Sequence, residues 1–443
     1  MEEKKILTLS ACDTFTQALL GGVDRVSHHQ ALSVAYPIMA FLANRLRVCY
    51  DEGTPRWMSG QTWQTGGSGT GKSLMLRALE DLFLAPEMRE ADLRAQRAAE
   101  YSLLSEKEQK QTPMPREEVR VLHGVPTAVA LLQQMQVNGG GAIYLSCSEC
   151  GELGKKISST HYSLILDMLK KSYDGVGEPF LHKTSSSTYY VSSMKICSNI
   201  GGTIDQMYKI MKWCNGDGTL SRGALTILEG RKDEAVDGAF CPPQWDAAQR
   251  ELLLAGCERL RGAVSEGEAP LSVPCFLALG REVRHHLLTL GEAAADCCSR
   301  ADERAMALCY LLYVANGCDT GNNDALPGIV EVARWWTMQA IDCAMAMQST
   351  LDANTRTMRG IVKQAYRNQA QTSAAAALTR RRDEAFRDFE QKHKGQECGW
   401  QDLQAASPLF ANLDRTRLYR MLAERGYEYK GKNRFLIQPK AEK

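Results

Sequence analysis

The stretch Gly66-Gly67-Ser68-Gly69-Thr70-Gly71-Lys72-Ser73 decides the fold class of this chain of 443 residues. It has the form G-x-x-x-x-G-K-[ST], which predicts a P-loop, a tight backbone turn whose N–H groups point at phosphate oxygens. In such a loop Lys72 reaches the β- and γ-phosphates, and the hydroxyl of Ser73 binds Mg²⁺. The motif therefore predicts ATP and Mg²⁺ as cofactors, held by residues 66–73.

The flanks of the motif have the pattern that a P-loop requires. Residues 57–63 alternate bulky with small or polar side chains and predict a short strand, and residues 74–83 predict an amphipathic helix. The positive N-terminus of that helix would face the phosphates. The alternative, a glycine-rich surface loop, does not explain Lys72 followed by Ser73.

Composition limits the class of protein. The chain is 44% hydrophobic and 24% charged, which is typical of a soluble globular protein, and its net charge of +1 restricts any nucleic-acid surface to a local patch. The 15 cysteines are irregularly spaced and odd in number, which fits a reducing cytoplasm better than a disulfide framework. The apolar residues 31–43 are too few to span a bilayer. We therefore predict a cytoplasmic protein with no membrane partner.

The order of strand and helix signals predicts an α/β core followed by helices. We expect an N-terminal helical segment over residues 1–55, then a P-loop core with a RecA- or AAA-like parallel sheet over 56–240. A helical domain over 241–350 and a helical linker over 351–396 follow. Residues 397–443 have the outline of a winged helix.

A P-loop ATPase needs an acidic residue at the end of a second strand. Residues 142–149, Ala-Ile-Tyr-Leu-Ser-Cys-Ser-Glu, supply Glu149, which would hold the metal through water or orient the attacking water. The usual form ends in Asp-Glu, and Ser148 stands at the position of the Asp. The alternative is that Glu149 only caps a helix. Cys147 and Cys150 form a Cys-x-x-Cys pair, but no second pair is present to complete a structural zinc site.

Two further polar positions are candidates for contact with the γ-phosphate. Asn199 follows the apolar stretch 194–197 and would sense the γ-phosphate from a strand end, with Thr203 as second choice; a plain turn is the alternative. Arg222 follows a loop and looks exposed. A neighbouring subunit of a ring would insert such an arginine to stabilise transition-state charge, although most arginines after loops are simply solvated.

The C-terminal tail and one internal loop predict contact with nucleic acid. Residues 414–443 hold nine Lys/Arg against four Asp/Glu. DNA would be contacted by residues on a predicted helix and a predicted wing: Arg415, Arg417, Arg420, Lys430, Lys432 and Arg434. A protein-docking module is the alternative for this tail. Lys183, near a predicted hairpin tip, would contact single-stranded DNA, or would lie in a plain solvent loop.

The order of these motifs resembles that of P-loop helicase-like proteins carried beside primases in bacterial mobile elements and prophages. The matching pieces are residues 66–73, 145–153, 172–175, 200–203 and 218–222, and the resemblance extends over roughly residues 30–350. It implies a RecA- or AAA-like ATPase core, a ring assembly and a role in moving or opening DNA. Ser148 departs from the pattern, and a priming activity would come from a separate primase or replication partner.

Three functions therefore remain open at the level of sequence. The first is an ATP-dependent DNA motor, a helicase or translocase. The second is an ATP-dependent switch that binds DNA or a partner without unwinding. The third is a scaffold that binds nucleotide without turnover. Small-molecule kinases also use a P-loop, but no substrate-binding signature accompanies it here, and the basic tail would have no purpose.

Overall fold

The computed structural model forms two compact units, residues 1–351 and 352–443. It describes residues 7–50, 55–67, 70–112, 118–124, 126–151, 160–175, 180–183, 188–191, 193–214, 218–228, 242–265, 270–291, 294, 297–318, 323–372, 374–411, 413–424, 427–431 and 434–437.

The described strands of the first unit are β1 (Arg47–Val48), β2 (Arg56–Trp57), β3 (Gln61–Gly66), β4 (Val121–His123), β5 (Ile143–Cys147), β6 (Phe180–Lys183), β7 (Thr188–Val191), β8 (Ile196–Gly202) and β9 (Ala224–Leu228). Five of them form an all-parallel sheet in the order β4-β5-β8-β3-β9. β1 with β2 and β6 with β7 form antiparallel ribbons. The predicted α/β class with a parallel sheet is therefore confirmed.

The helices that begin in the first unit are α1 (Thr14–Gly21), α2 (His28–Leu42), α3 (Lys72–Phe83), α4 (Ala85–Ser102), α5 (Glu106–Gln111), α6 (Ala128–Val137), α7 (Thr160–Asp174), α8 (Ile204–Cys214), α9 (Thr219–Arg222), α10 (Ala247–Gly262), α11 (Pro274–Leu290), α12 (Ala301–Ala315) and α13 (Leu326–Thr372). The central strands β3, β5 and β8 are buried along their whole length, as expected of a parallel sheet covered by helices.

Helix α2 lies on the sheet, so the N-terminal segment belongs to the same compact unit as the strands. Its Ser33 accepts three hydrogen bonds: Thr62 donates to the carbonyl at 2.8 Å, and Thr226 and Trp336 donate to the hydroxyl at 2.8 and 2.9 Å. Buried hydroxyls normally need such partners. These bonds join α2, β3, β9 and α13 in one core.

The parallel sheet has two edges of different character. The carboxyl edge is where the strands end, at Gly66, His123, Cys147, Gly202 and Leu228. The amino edge is where they begin. Ligands of α/β proteins bind at the carboxyl ends of the strands, so a binding site is expected at the carboxyl edge.

The second unit contains α14 (Ala374–Lys392), β10 (Glu397–Gly399), α15 (Trp400–Ala406), α16 (Pro408–Ala411), α17 (Arg415–Glu424), β11 (Glu428–Gly431) and β12 (Arg434–Leu436). Its strands pair antiparallel in the order β10-β12-β11. The prediction of a linker that extends to residue 396 is wrong for α14, which packs in the core of this unit. Phe386 and Phe389 of that helix are each 1% exposed and pack in the core with Phe410 and Phe435.

Candidate functional site

The glycine loop, residues 66–73, joins the end of β3 to the start of α3. Gly71 has φ of 77°, a left-handed conformation that favours glycine. A Cβ on Gly66 would lie 2.8 Å from the carbonyl oxygen of Leu228, so the loop leaves β3 where the backbone of β9 comes close. The predicted strand–loop–helix order is present. Ser68 and Gly69 lie outside the described residues.

Lys72 is the first residue of α3, and its ammonium group turns back over the loop. It donates to the carbonyl oxygens of Gly66 at 2.9 Å and Gly67 at 2.7 Å, and to the hydroxyl of Thr70 at 3.1 Å. Burial lowers the pKa of Lys72, and the negative charge of Glu149 acts in the opposite direction. The charge of Glu149, the acidic residue predicted for the same site, thus acts on the lysine.

The beginning of α3 has the features of an anion site. Lys72 and Ser73 occupy its first turn, where four backbone N–H groups have no partner within the helix. Gly71 provides no side-chain cap, and the first turn contains no acidic residue. The positive end of the helix dipole and the ammonium group therefore act at the same place.

A cavity of about 940 Å³ opens beside this helix at the carboxyl edge. One wall is the face of α3 that carries Ser73, Arg77 and Glu80. The other walls come from the ends of β4 and β5 and from α8: His123, Gly124, Ser146, Cys147, Ser148, Glu149, Gly151, Gln206 and Lys209. Ser73 and Glu149, predicted independently as metal-binding residues, line the same cavity.

Glu149 lies two residues after the end of β5 and is exposed, while Ser148 is half-buried. The backbone on both sides of them is fixed. The thiol of Cys147 donates to the carbonyl of Glu149 at 3.4 Å, and the N–H of Cys150 donates to the carbonyl of Gly201 at 2.7 Å. A hydroxyl from Ser73 and a carboxylate from Glu149 are oxygen ligands of the type that Mg²⁺ prefers. The donor set fits the predicted metal.

Glu80 is a residue of the cavity that the sequence analysis did not select. It is 2% exposed, and its carboxylate accepts hydrogen bonds from the hydroxyls of Tyr144, at 2.9 Å, and Ser146. Burial raises its pKa, whereas those two hydrogen bonds and nearby His123 lower it. A signal was present in the sequence, because Glu80 follows Ser73 by seven residues and therefore shares its face of the helix.

Asn199 is not at a strand end, so that prediction is wrong. β8 continues to Gly202, and Asn199 is fully buried in its middle, beside Thr62 of β3. Its amide donates to the carbonyl of Val34 at 2.9 Å and to the hydroxyl of Tyr144 at 2.8 Å. The polar and glycine residues that suggested a turn continue the strand. The glycine at position 201 suits a close approach of two backbones, because a Cβ there would lie only 3.1 Å from the carbonyl of Ser148. Thr203 follows the true end of β8 and is not among the residues that line the cavity.

Arg222 lies at the amino edge, before β9 begins, and its expected exposure is wrong. Its side chain is only 15% exposed because it forms a two-point ion pair with Asp174, through Nε at 3.1 Å and a terminal nitrogen at 3.0 Å. A third bond runs to the carbonyl of Gly218 at 2.8 Å. The strands separate this arginine from the glycine loop of its own chain by on the order of 15 Å. The role predicted for Arg222, contact with the γ-phosphate of a nucleotide, would therefore need a nucleotide bound to another subunit.

The residues predicted to contact nucleic acid divide between the two units. In the second unit Arg415 and Arg420 on α17 are exposed, as are Lys430 on β11 and Arg434 on β12. The guanidinium of Arg415 lies 5.7 Å from the ring centre of Trp400. Lys183 ends β6 and Arg417 belongs to α17, but their side chains lie outside the described part of the structure, as does the whole of Lys432.

No protein-family model matches this chain, and no curated protein matches it significantly. Within the described ranges, no helix is long and apolar enough to cross a membrane.

Proposed function

We propose that this chain is a P-loop ATPase with a RecA- or AAA-like core that hydrolyses ATP to move or open DNA. The observation that carries the proposal is that Ser73 and Glu149 line one cavity at the carboxyl edge of a parallel sheet, while the charge of Glu149 acts on Lys72, the residue before Ser73. Lys72 and Ser73 begin the helix after the glycine loop, and Glu149 follows β5, which is separated from β3 only by β8. One residue set thus offers a phosphate site, a metal ligand and an acid.

Each residue has a defined task in this reaction. The ammonium of Lys72 exchanges its loop partners for the β- and γ-phosphates, and the N–H groups at the start of α3 hold phosphate oxygens. Mg²⁺, held by Ser73 and by Glu149 through water, would neutralise charge on the phosphates. Glu149 orients the attacking water. Because Arg222 lies at the opposite edge of the sheet, its predicted role requires a ring in which it serves a neighbour.

The order of elements in the second unit supports the DNA part of the proposal. A helix, a short strand, two further helical segments, the helix α17 and a two-stranded hairpin follow one another, and the first strand completes the sheet. This is the layout expected of a winged helix, with α17 as the helix that enters a groove and β11–β12 as the wing. The exposed Arg415, Arg420, Lys430 and Arg434 would contact DNA.

A nucleotide-dependent switch or scaffold is the second candidate, and Ser148 favours it. Ser148 lines the cavity where an aspartate would strengthen metal binding, so the site has one carboxylate fewer than a vigorous ATPase needs. In that case the chain would bind ATP and DNA, or a replication partner, with little turnover.

The test is ATP turnover by the purified full chain, with and without single-stranded DNA, beside Lys72→Ala. We expect turnover that rises with DNA and falls at least about 100-fold in the variant, because the lysine contacts charge that develops in the transition state. The matched control is Arg250→Gln, an exposed change on α10 away from the cavity, which should leave turnover unchanged.

If wild type and Lys72→Ala had equal turnover while wild type still bound ATP, the ATPase would be excluded and the switch or scaffold would remain. Turnover without any response to DNA would remove the DNA motor and keep the ATPase. Absence of ATP binding would remove both.

A further inference from the structure

The amino edge of the sheet carries a cluster of positive charges around Trp57, far from the cavity. Trp57 lies on β2, and Arg47 is its partner across the ribbon β1–β2. The guanidinium of Arg47 is 5.4 Å from the centre of the Trp57 ring, and the ammonium of Lys195 is 3.7 Å from it. These two charges are thus within about 9 Å of each other, close enough to repel.

None of these cations has a carboxylate partner among the described residues. A third cation, the exposed Arg45, directly follows Asn44, whose carbonyl accepts a hydrogen bond from Lys195. Neither Arg45 nor Arg47 nor Lys195 makes an ion pair in the described part of the structure, in contrast to the neighbouring Arg56, which is paired with Glu303 at 3.0 Å. The Nε of Arg47 is buried and has no hydrogen-bond partner within the ranges that the structure describes. Burying a donor without an acceptor destabilises the folded state, so the presence of this N–H group needs an explanation.

Hydrogen bonds fix the backbone at Arg47 and the ammonium group of Lys195. The N–H of Arg47 donates to the hydroxyl of Ser265 at 2.7 Å, and its carbonyl accepts from Leu271 at 2.9 Å. Lys195 immediately precedes β8 and donates from its ammonium to the carbonyl of Asn44 at 3.2 Å. Lys195 and the backbone that carries Arg47 are therefore held in place before a ligand binds, which lowers the cost of ordering them.

The electrostatics of Lys195 indicate which charge would suit a ligand at this cluster. Burial, with a smaller contribution from the like charge of Arg45, lowers the pKa of Lys195 to about 8. An anion bound beside it would reverse this effect, because an opposite charge favours the ammonium form. The adjacent aromatic ring adds a flat apolar surface to the three cations, and nucleic-acid-binding grooves combine the same two elements.

We propose that Arg45, Arg47 and Lys195 form a phosphate-binding site around Trp57, and that the phosphates belong to a single-stranded polynucleotide. The phosphate chemistry follows from the cluster itself, whereas the choice of a polynucleotide rests on the proposed function. The site would be a second nucleic-acid contact, in the first unit and separate from the basic residues of the second. It lies at the edge of the sheet opposite the nucleotide cavity, so ATP in that cavity cannot supply its phosphates.

The test is the binding of a fluorescently labelled single-stranded oligonucleotide to the full chain, followed by anisotropy over a range of salt concentrations. The double variant Arg45→Gln/Lys195→Gln should bind about tenfold more weakly near physiological salt, and the slope of log affinity against log salt should fall by about 1.4, because two phosphate contacts are lost. Arg250→Gln is the matched control and should bind like wild type.

One more variant separates this site from folding. Arg45→Glu alone changes an exposed side chain that has no partner among the described residues, so it should fold normally and still weaken binding. The binding assay contains no ATP, so a failure of ATP turnover does not count against the proposed site.

Unchanged oligonucleotide affinity in both charge variants would overturn the polynucleotide assignment. If inorganic phosphate then raised the melting temperature of wild type but not of the double variant, the cluster would be a site for a free anion. If phosphate had no effect either, the site itself would be refuted. A wild-type chain that binds no oligonucleotide would also overturn the assignment, while ATP turnover would still judge the nucleotide site.

Discussion

The two edges of the parallel sheet carry polar clusters that look alike in the sequence and behave differently in the fold. At the carboxyl edge Ser73, Glu80 and Glu149 face a cavity. At the amino edge the motif pieces over residues 172–175 and 218–222 bind each other through Asp174 and Arg222. The comparison teaches that a polar motif in the sequence does not by itself distinguish a functional site from a structural contact. The partners that its polar groups find inside the fold are a better guide.

The amino edge is built as a network of internal bonds. The Ser172 hydroxyl donates to the carbonyl of Ile196 at 2.8 Å, and the N–H of Trp57 donates to the carbonyl of Gly175 at 3.2 Å. With the Asp174–Arg222 pair, these contacts attach the end of α7 to β2, β8 and α9. This edge therefore has a structural role whether or not Arg222 also serves a neighbouring subunit.

The largest expected effect is the recovery of ATP turnover when Arg222 of one subunit meets the nucleotide site of a neighbouring subunit. Lys72→Ala and Arg222→Ala chains, each inactive alone, are mixed in equal amounts, and ATP turnover is measured. Random mixing should place an intact Arg222 beside an intact nucleotide site at about one quarter of the interfaces, so about that fraction of activity should return. Absence of rescue in oligomers shown to be mixed would leave Arg222 with only its structural role.

A smaller effect is expected when the amino edge is broken within one chain. Asp174→Ala and Arg222→Ala should each lower the free energy of unfolding by about 1–3 kcal/mol, because each leaves a charged partner with unsatisfied hydrogen bonds. A double-mutant cycle in urea should give a coupling of about 1–2 kcal/mol between them.

The matched change at the carboxyl edge is Lys209→Ala, an exposed residue that lines the cavity. It should alter stability by less than about 0.5 kcal/mol. Equal losses at both edges would contradict the contrast between them.

The smallest expected effect concerns the buried carboxyl at the carboxyl edge. Since the pKa of Glu80 is raised in the folded state, its protonated form favours folding at low pH, and that contribution disappears as pH rises through the raised pKa. Glu80→Gln, which mimics the protonated form, should match wild-type stability at acid pH, where Glu80 is itself protonated, and exceed it slightly at pH 7. Urea unfolding at the two pH values measures this difference, and a less stable variant at pH 7 would refute the assigned cost of burying the charge.

The sequence was sufficient to predict the glycine loop, the helix after it and a parallel sheet. It also selected Glu149, because an apolar run that ends in an acid is visible in one dimension. The order of the strands depends on pairing between distant segments, and neither this order nor the side-chain partners of Arg222 leave a local signal. The strand β10, three residues long, is defined only by its pairing with β12.

The errors have a common physical origin. At Asn199 the polar residues and glycines predict a strand end, or a turn as the alternative, although they continue a buried strand in which the Asn199 amide donates to Val34 and Tyr144. At α14 charged neighbours concealed Phe386 and Phe389, which are spaced to share one face of the helix. In both places tertiary contacts outweighed local composition.

The three hydrogen bonds that Lys72 makes to its own loop have a thermodynamic consequence. If a triphosphate binds there, the ammonium exchanges one set of oxygen acceptors for another, so the enthalpy gained is a difference and not the full strength of an ion pair. The lysine rotamer, which carries about 2 kcal/mol of conformational entropy when unrestrained, is already fixed by those bonds. Folding has thus met the entropic cost before any ligand arrives, and affinity at this site should depend on how well phosphate oxygens outcompete peptide carbonyls.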